Sequence, residues 1–380
     1  MKLVGCNKTV SIRGRLRKDQ KTKLLVKRLR PGDIALIAHQ DLDWVAAEAL
    51  LRSGVKAILN IYSFCTGLFP PEGLHLLLEK GVHLVENIKP DLFNLVREEQ
   101  MITVVNSSVF AGGRELARGT IFTSAVYRKS HQDTIRSSPA IVEDFVINTL
   151  DYAYRERGLV TGGLAIPALN TKFADRDVVV VIRGKGYRED LHSIRTYLRE
   201  KKPVLVGVDG GGDALLDCGY RPDLIIGDMD SVSDRALLQS KEVVVHAYSD
   251  GRGTPGRERL ERLGVPYRVF SAPGTSEDIA LLLAYDSGAA LIVAIGAHSS
   301  VFEFLEKGRK GMSSTFLVRL KVGDRLVDAK GVSRLYSSRS AGLLLPVVVA
   351  AGLMPLLTLA AFSPLVQHLF RLLYFRLKLP

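Results

Sequence analysis

Short apolar runs rich in β-branched residues alternate along the chain with longer stretches of mixed apolar and polar positions. Residues 34–39, IALIAH, follow Pro31-Gly32 and read as a strand; residues 43–53 read as a helix ended by Gly54; residues 55–62, VKAILNIY, read as the next strand. The segment LHLLLEK reads as a short helix. Residues 101–136 look like short strands joined by turns, among them MITVVN and TIFTSAVY, and 139–157 read as a helix. Together these predict an N-terminal α/β domain over 31–160, with a turn-rich linker at 161–176. A second series starts with DVVVVIRG at 177–184. It continues as helix 188–200, strand 204–209, helix 212–218, strand 223–228, strand 243–248, helix 277–288 and strand 290–296. Such runs suit parallel strands buried on both faces. STFLVRL and DRLVDAK predict a short β hairpin that completes a second domain over 177–338.

Beyond it, no charged residue lies between Arg339 and Arg371, and residues 341–362 are almost wholly apolar. As a helix that stretch is roughly 33 Å long, against a hydrocarbon core of about 30 Å. It predicts one C-terminal transmembrane helix, with residues 363–380 as a tail; the alternative is a buried core helix. The start of the chain has no apolar run of secretory length. The expectation is a single-pass cell-membrane protein with its main domains cytoplasmic.

Composition adds one feature. The net charge of +12 is concentrated in residues 1–30, which hold eleven Lys and Arg and one acid, Asp19. A basic arm of this kind binds acidic lipid, nucleic acid or an acidic partner, or is only a solvated leader. Nucleic acid is disfavoured because the arm lacks interleaved aromatic residues. Cys6, Cys65 and Cys218 form no C-x-x-C pair, which excludes a zinc ribbon and a disulfide framework.

The candidate chemistry sits at strand ends. Asp209 ends VLVGVD and precedes Gly210-Gly211-Gly212; Asp228, Asp230 and Ser231 follow DLIIG. Open α/β sheets bind ligands beyond the carboxyl ends of their strands. Carboxylates gathered there need a cation, and Mg²⁺ suits a few carboxylates with phosphate oxygens. Glycines let backbone N–H groups approach phosphate. The alternative reading is that these acids cap helices and turns, as Ser276 and Asp278 would for the helix that follows them. Three further clusters stand out. Arg252 and Arg257 lie in a glycine-rich loop and either neutralise phosphate or are solvated. Lys307-Gly308-Arg309-Lys310 either clamps a ligand, faces lipid phosphates or favours a helix C-terminus. His39, Asp41 and Asp43 are metal ligands or helix caps.

The stretch from Asp209 to Ser231 resembles thiamine pyrophosphokinase, through Asp209, Gly210, Gly211, Pro222, Asp223, Gly227, Asp228, Asp230 and Ser231, with Thr275-Ser276-Glu277-Asp278 in place of that family's D-x-T-D. The resemblance implies that Asp228, Asp230 and Asp278 hold Mg²⁺ and that Asp209 sits beside a transferred diphosphate. It implies a nucleotide site that includes Gly210, Gly211, Gly227, Ser231, Arg252, Thr275, Ser276 and Gly296. Two departures affect the thiamine half. Gly296-Ala297-His298-Ser299-Ser300 lacks the Arg and Asp of G-R-x-D-H, and little chain is left for the family's C-terminal β-sandwich.

A wider set of motifs is similar to SteA-type proteins: RPGDIALIAH (30–39), VDGG (208–211), GDMDSVSD (227–234), GTSED (274–278), EFLEKGRKGMSSTF (303–316) and DAKGVSRLY (328–336). That resemblance implies a membrane-anchored bacterial protein with a pyrophosphokinase-like domain, linked to the cytokinetic ring and cell separation, with cell-division membrane proteins as partners. The expected function is therefore a nucleotide-binding, ATP- and Mg²⁺-dependent protein of cell division. An active thiamine pyrophosphokinase or related diphosphotransferase and a non-catalytic scaffold are the alternatives, and a homo-oligomer stays open.

Overall fold

The computed structural model describes residues 10–70, 72–162, 164–247, 253–254, 256–335 and 341–378. The chain divides into two compact units, residues 1–330 and 331–380.

The first unit begins with a closed barrel. Its strands are β1 (Ser11–Asp19), β2 (Ile34–Ile37), β3 (Ala57–Asn60), β4 (His83–Lys89), β5 (Met101–Val105), β6 (Ser108–Ala111) and β7 (Arg114–Ile121), in the order β1-β2-β3-β4-β7-β6-β5. β1 to β4 run parallel; β5, β6 and β7 close the barrel with antiparallel pairs. Alternate side chains fill the interior, among them Leu16, Ile34, Leu36, Leu59, Val85 and Val104. The opposite set, including Ala35, Ile37, Ile58 and Leu84, packs in a separate core with Ala47, Leu50, Leu74 and Leu77. Those last four belong to the helices Trp44–Arg52 and Glu72–Glu79.

Residues 11–19, read above as part of a basic arm, are therefore a barrel strand. The reason lies in their pairing with acids. Arg17 is buried, with Nε 2.9 Å from Asp33 Oδ2 and Nη2 2.9 Å from Glu99 Oε1. Arg28 reaches Glu98 at 2.6 Å and Asp19 at 2.9 Å. The apolar positions Ile12 and Leu16 keep the alternation of a strand beneath those charges.

The helix Ser124–Arg155 is longer than the predicted 139–157 and absorbs part of the expected strand TIFTSAVY. Thr123 caps it by accepting from the Val126 N–H at 3.3 Å. Pro139 lies inside it and has no N–H to give the Ile135 carbonyl. The Ser138 hydroxyl donates to that carbonyl instead, at 2.8 Å, so the helix continues.

The second half of the unit is a sheet of β8 (Asp177–Val181), β9 (Val204–Val208), β10 (Leu224–Gly227), β11 (Glu242–Ala247), β12 (Arg268–Ser271), β13 (Leu291–Ile295) and β14 (Leu326–Asp328), in the order β12-β11-β10-β9-β8-β13-β14. All neighbouring pairs are parallel. Val178, Val180, Val206 and Ile226 pack against the helix Ser276–Asp286 on one face; Ile225, Val243 and Val245 pack against Leu237 and Leu260 on the other. Each such side chain, fully buried, contributes about 1.5–3 kcal/mol. The strand order reverses between β8 and β13, which opens a crevice beyond their carboxyl ends.

The expected hairpin does not form. STFLVRL lies in the helix Ser313–Val322, because its buried positions Ser314, Thr315, Leu317, Val318 and Val322 follow helical spacing. β14 instead adds to the sheet beside β13, Ile292 opposite Leu326.

In the second unit, the helices Ala341–Phe362 and Pro364–Lys378 follow the short helix Val332–Leu335. The transmembrane expectation for 341–362 is overturned, and with it the single-pass membrane location: among the described residues no helix is long and apolar enough to cross a membrane.

Candidate functional site

Asp209 leaves β9 in a left-handed turn, φ 46°, and its Oδ1 accepts from the Met229 N–H at 3.1 Å. Met229 is itself left-handed, φ 63°. Non-glycine residues in that region are held there by their surroundings and concentrate at ligand sites. Asp228 Oδ1 accepts from the Asp230 N–H at 2.9 Å, and Ser231 Oγ accepts from the Gly210 N–H at 3.3 Å. The two strand ends are thereby tied together. Burial, and next the charge of Asp228, push the Asp209 carboxyl up to about 8. Two glycines make this approach possible. A Cβ at Gly227 would lie 2.0 Å from Asp209 Oδ1, and one at Gly211 would lie 1.9 Å from the Val181 carbonyl oxygen.

The Thr275–Asp278 segment is a capping box for the helix Ser276–Asp286. Thr275 Oγ1 accepts from the Asp278 N–H at 3.1 Å, and Asp278 Oδ2 accepts from the Thr275 N–H at 3.0 Å. Ser314 Oγ donates to the same Oδ2 at 2.7 Å, and Asp278 is fully buried. Burial, then the charge of Glu277, raises its carboxyl above the usual range. Asp278 lies behind the rim, and Glu277 lines the cleft instead. Glu277 Oε2 is 3.0 Å from His298 Nδ1, while its Oε1 is buried and unpartnered.

These groups line one cleft of about 880 Å³, within the range of about 300–1,000 Å³ of small-molecule sites. Asp209, Gly210, Asp228, Asp230, Ser231, Thr275 and Ser276 all face it. Gly211, Gly227, Gly296 and Asp278 do not line it. Gly296 (φ 66°) passes so close to β8 that a Cβ would sit 2.2 Å from the Ile182 carbonyl oxygen. Arg252 lies outside the described residues. The structure does not gather Asp228, Asp230 and Asp278 into one cation site; among the described residues no group of three or more His, Cys, Asp or Glu is arranged to hold a metal ion.

The barrel supplies the facing wall. Lys23 reaches across it to Asp230 at 3.0 Å, and Lys307, after the helix Val301–Glu306, lies 3.8 Å from Asp43 of the barrel. His39 Nδ1 is 3.0 Å from Thr22 Oγ1; burial lowers its pKa, with Lys307 adding to that effect and Asp43 opposing it. Asp41 is occupied by Thr66, through its N–H at 2.6 Å and its hydroxyl at 2.8 Å. Asp43 caps the helix Trp44–Arg52 by accepting from the Ala46 N–H at 2.8 Å. Asp43→Ala is expected to cost about 1 kcal/mol in a urea unfolding experiment; an unchanged midpoint would show the cap to be idle.

Sequence reasoning missed Lys23, Glu277 and His298. Glu277 stood beside the acid chosen in its place, and His298 stood in the segment where the G-R-x-D-H pattern breaks. Nothing local marked Lys23, which meets Asp230 only through the tertiary fold.

Residues 330–379 match the family model for the SteA-like C-terminal domain. No curated protein matches the chain. Among solved structures, thiamine pyrophosphokinase from Bacillus subtilis is 22% identical, with 40% of this chain and 61% of that chain covered and a TM-score of 0.26. Thiamin pyrophosphokinase from Geobacillus thermodenitrificans is 25% identical, with 40% and 58% covered and a TM-score of 0.25. A 3-isopropylmalate dehydratase from Methanocaldococcus jannaschii is 10% identical, with 35% and 98% covered and a TM-score of 0.22. The chain spans 58–61% of the length of the two pyrophosphokinase structures. The resemblance to SteA-type proteins read from the sequence is met again over residues 330–379.

Proposed function

We propose, for a chain that carries a SteA-like C-terminal domain, that its cleft binds a Mg²⁺ nucleoside polyphosphate such as ATP and that the protein serves bacterial cell division. The observation that carries the binding reading is the Asp209–Asp228 pair at the neighbouring carboxyl ends of β9 and β10. Burial, and next repulsion from the charge of Asp228, make ionisation of Asp209 costly, so that it keeps its proton to about pH 8. A divalent cation relieves that repulsion. Mg²⁺ takes one or two carboxylates and completes its shell with phosphate oxygens and water. Asp209 and Asp228 fit that demand, and Asp230 is already neutralised by Lys23. Bound there, the ion would screen phosphate charge. Ser231 and the backbone beside Gly210 lie next to the pair and would orient the phosphates. Asp278 is assigned no metal in this reading, since its carboxylate caps a helix beneath the rim.

Calorimetry with Mg-ATP and Mg-ADP tests this. Asp228→Ala should weaken Mg-dependent nucleotide binding at least about tenfold, the loss of one charge-assisted contact. Heat from neither nucleotide with the wild-type chain would sink the reading. AMP release with an added hydroxyl acceptor would extend it to diphosphotransfer. The division role and its cell-division membrane partners come from the SteA resemblance. They are tested by whether a fluorescent fusion gathers at the septum and loses that position on removal of residues 331–380.

A further inference from the structure

The cleft has a basic side that the nucleotide reading leaves unused. Lys21, Lys23 and Lys27, on the segment after β1, line it from the barrel, and Lys307 and Arg309 line it from the loop after the helix Val301–Glu306. Lys23 and Lys307 have acidic neighbours, Asp230 and Asp43. Among the described residues, Lys21, Lys27 and Arg309 make no ion pair. The contrast within one segment is informative: Arg15, Arg17 and Arg28 are paired with Glu99, Asp33, Glu98 and Asp19. Lys21, Lys27 and Arg309 thus line the cleft without acid partners.

We propose that Lys27 and Arg309, supported by Lys21, form an anion subsite that takes the phosphate or diphosphate group of a second small ligand, opposite the carboxylate rim. The proposal rests on the nucleotide reading in treating the cleft as a ligand site, and goes beyond it in naming a second ligand class. Cations brought to one wall without counter-charges repel each other, and a multivalent anion removes that cost. Lysine and arginine side chains from two separate elements can grip phosphoryl oxygens from two directions. A positively charged acceptor such as thiamine would meet like charge on this wall. A phosphorylated acceptor would not.

The test uses the full chain and inorganic pyrophosphate without any divalent cation, at fixed ionic strength, by calorimetry. The wild type should bind it. A Lys27→Ala/Arg309→Ala variant that melts at the wild-type temperature should bind it about tenfold more weakly, the loss expected for two partly exposed charge-assisted contacts. Asp228→Ala should keep metal-free pyrophosphate binding while losing Mg-nucleotide binding. Absence of binding to the wild type, or equal binding by the double variant, overturns the proposal. So does a parallel loss of both ligands in Asp228→Ala, because pyrophosphate would then occupy the nucleotide position. If Mg-ATP fails to bind but pyrophosphate binding depends on Lys27 and Arg309, the subsite stands and the nucleotide reading falls.

Discussion

Gly227→Ala is expected to cost about 2–5 kcal/mol of folding stability, the sum of backbone strain and overpacking. Gly227 ends β10 with φ 150°, a conformation that residues with a side chain rarely adopt. The new methyl carbon would stand 2.0 Å from Asp209 Oδ1 and 2.3 Å from its Cγ. It cannot move away, because Gly227 is held in register opposite Val245 of β11. The carboxyl must therefore move, and its bond from the Met229 N–H, 3.1 Å long, breaks. Mg-nucleotide binding should fall with stability, since Asp209 is one of the two groups assigned to the cation. Urea unfolding and calorimetry check both. A change below about 1 kcal/mol, small against the usual cost of such overpacking, together with unaltered nucleotide binding would mean that the rim does not have the geometry described.

The second expected result concerns pH. The Asp209 carboxyl is raised from an ordinary 3.8 to about 8, first by burial and then by the charge of Asp228. Its folded pKa lies above its unfolded one, so between about pH 4 and pH 8 the folded state holds a proton that the unfolded state has lost. Stability from this group is full below pH 4 and declines as pH rises, levelling off above pH 8. Between pH 6 and pH 9 the decline should be at most about 2–3 kcal/mol, with the cleft-facing side of the carboxyl open to water and reducing it. Asp209→Asn, which cannot titrate, should remove this part of the slope. Mg²⁺ displaces the same proton, so the ion's affinity should rise with pH toward 8 in the wild type. A wild-type profile that matches Asp209→Asn across this range would disprove the assignment.

These expectations rest on residues that the sequence marked in different degrees. The aspartates at the ends of β9 and β10 were legible, because short β-branched runs between helical stretches specify buried parallel strands. The chemistry of such a sheet collects at its carboxyl edge. The capping box at Thr275–Asp278 was legible as a pattern but ambiguous in meaning. The same four residues suit a metal site or a helix start, and only the packing of Ser314 onto Asp278 separates the two. Charge counting misled for residues 11–30. The alternation of Ile12, Gly14 and Leu16 with arginines carried a strand signal, which the nine basic residues of that stretch obscured. Their acid partners lie up to 84 residues away in the chain.

What the sequence by itself determined was local: which stretches are strands or helices, where turns need glycine, and which strand ends carry acids. Each depends on side-chain spacing and backbone preference within a few residues. Only the tertiary structure decided that a barrel faces the sheet, that Lys23 answers Asp230, that Asp278 is buried beneath the rim, and that STFLVRL is helical. Each of those depends on which distant surfaces exclude water together, and a local pattern of residues contains no measure of that.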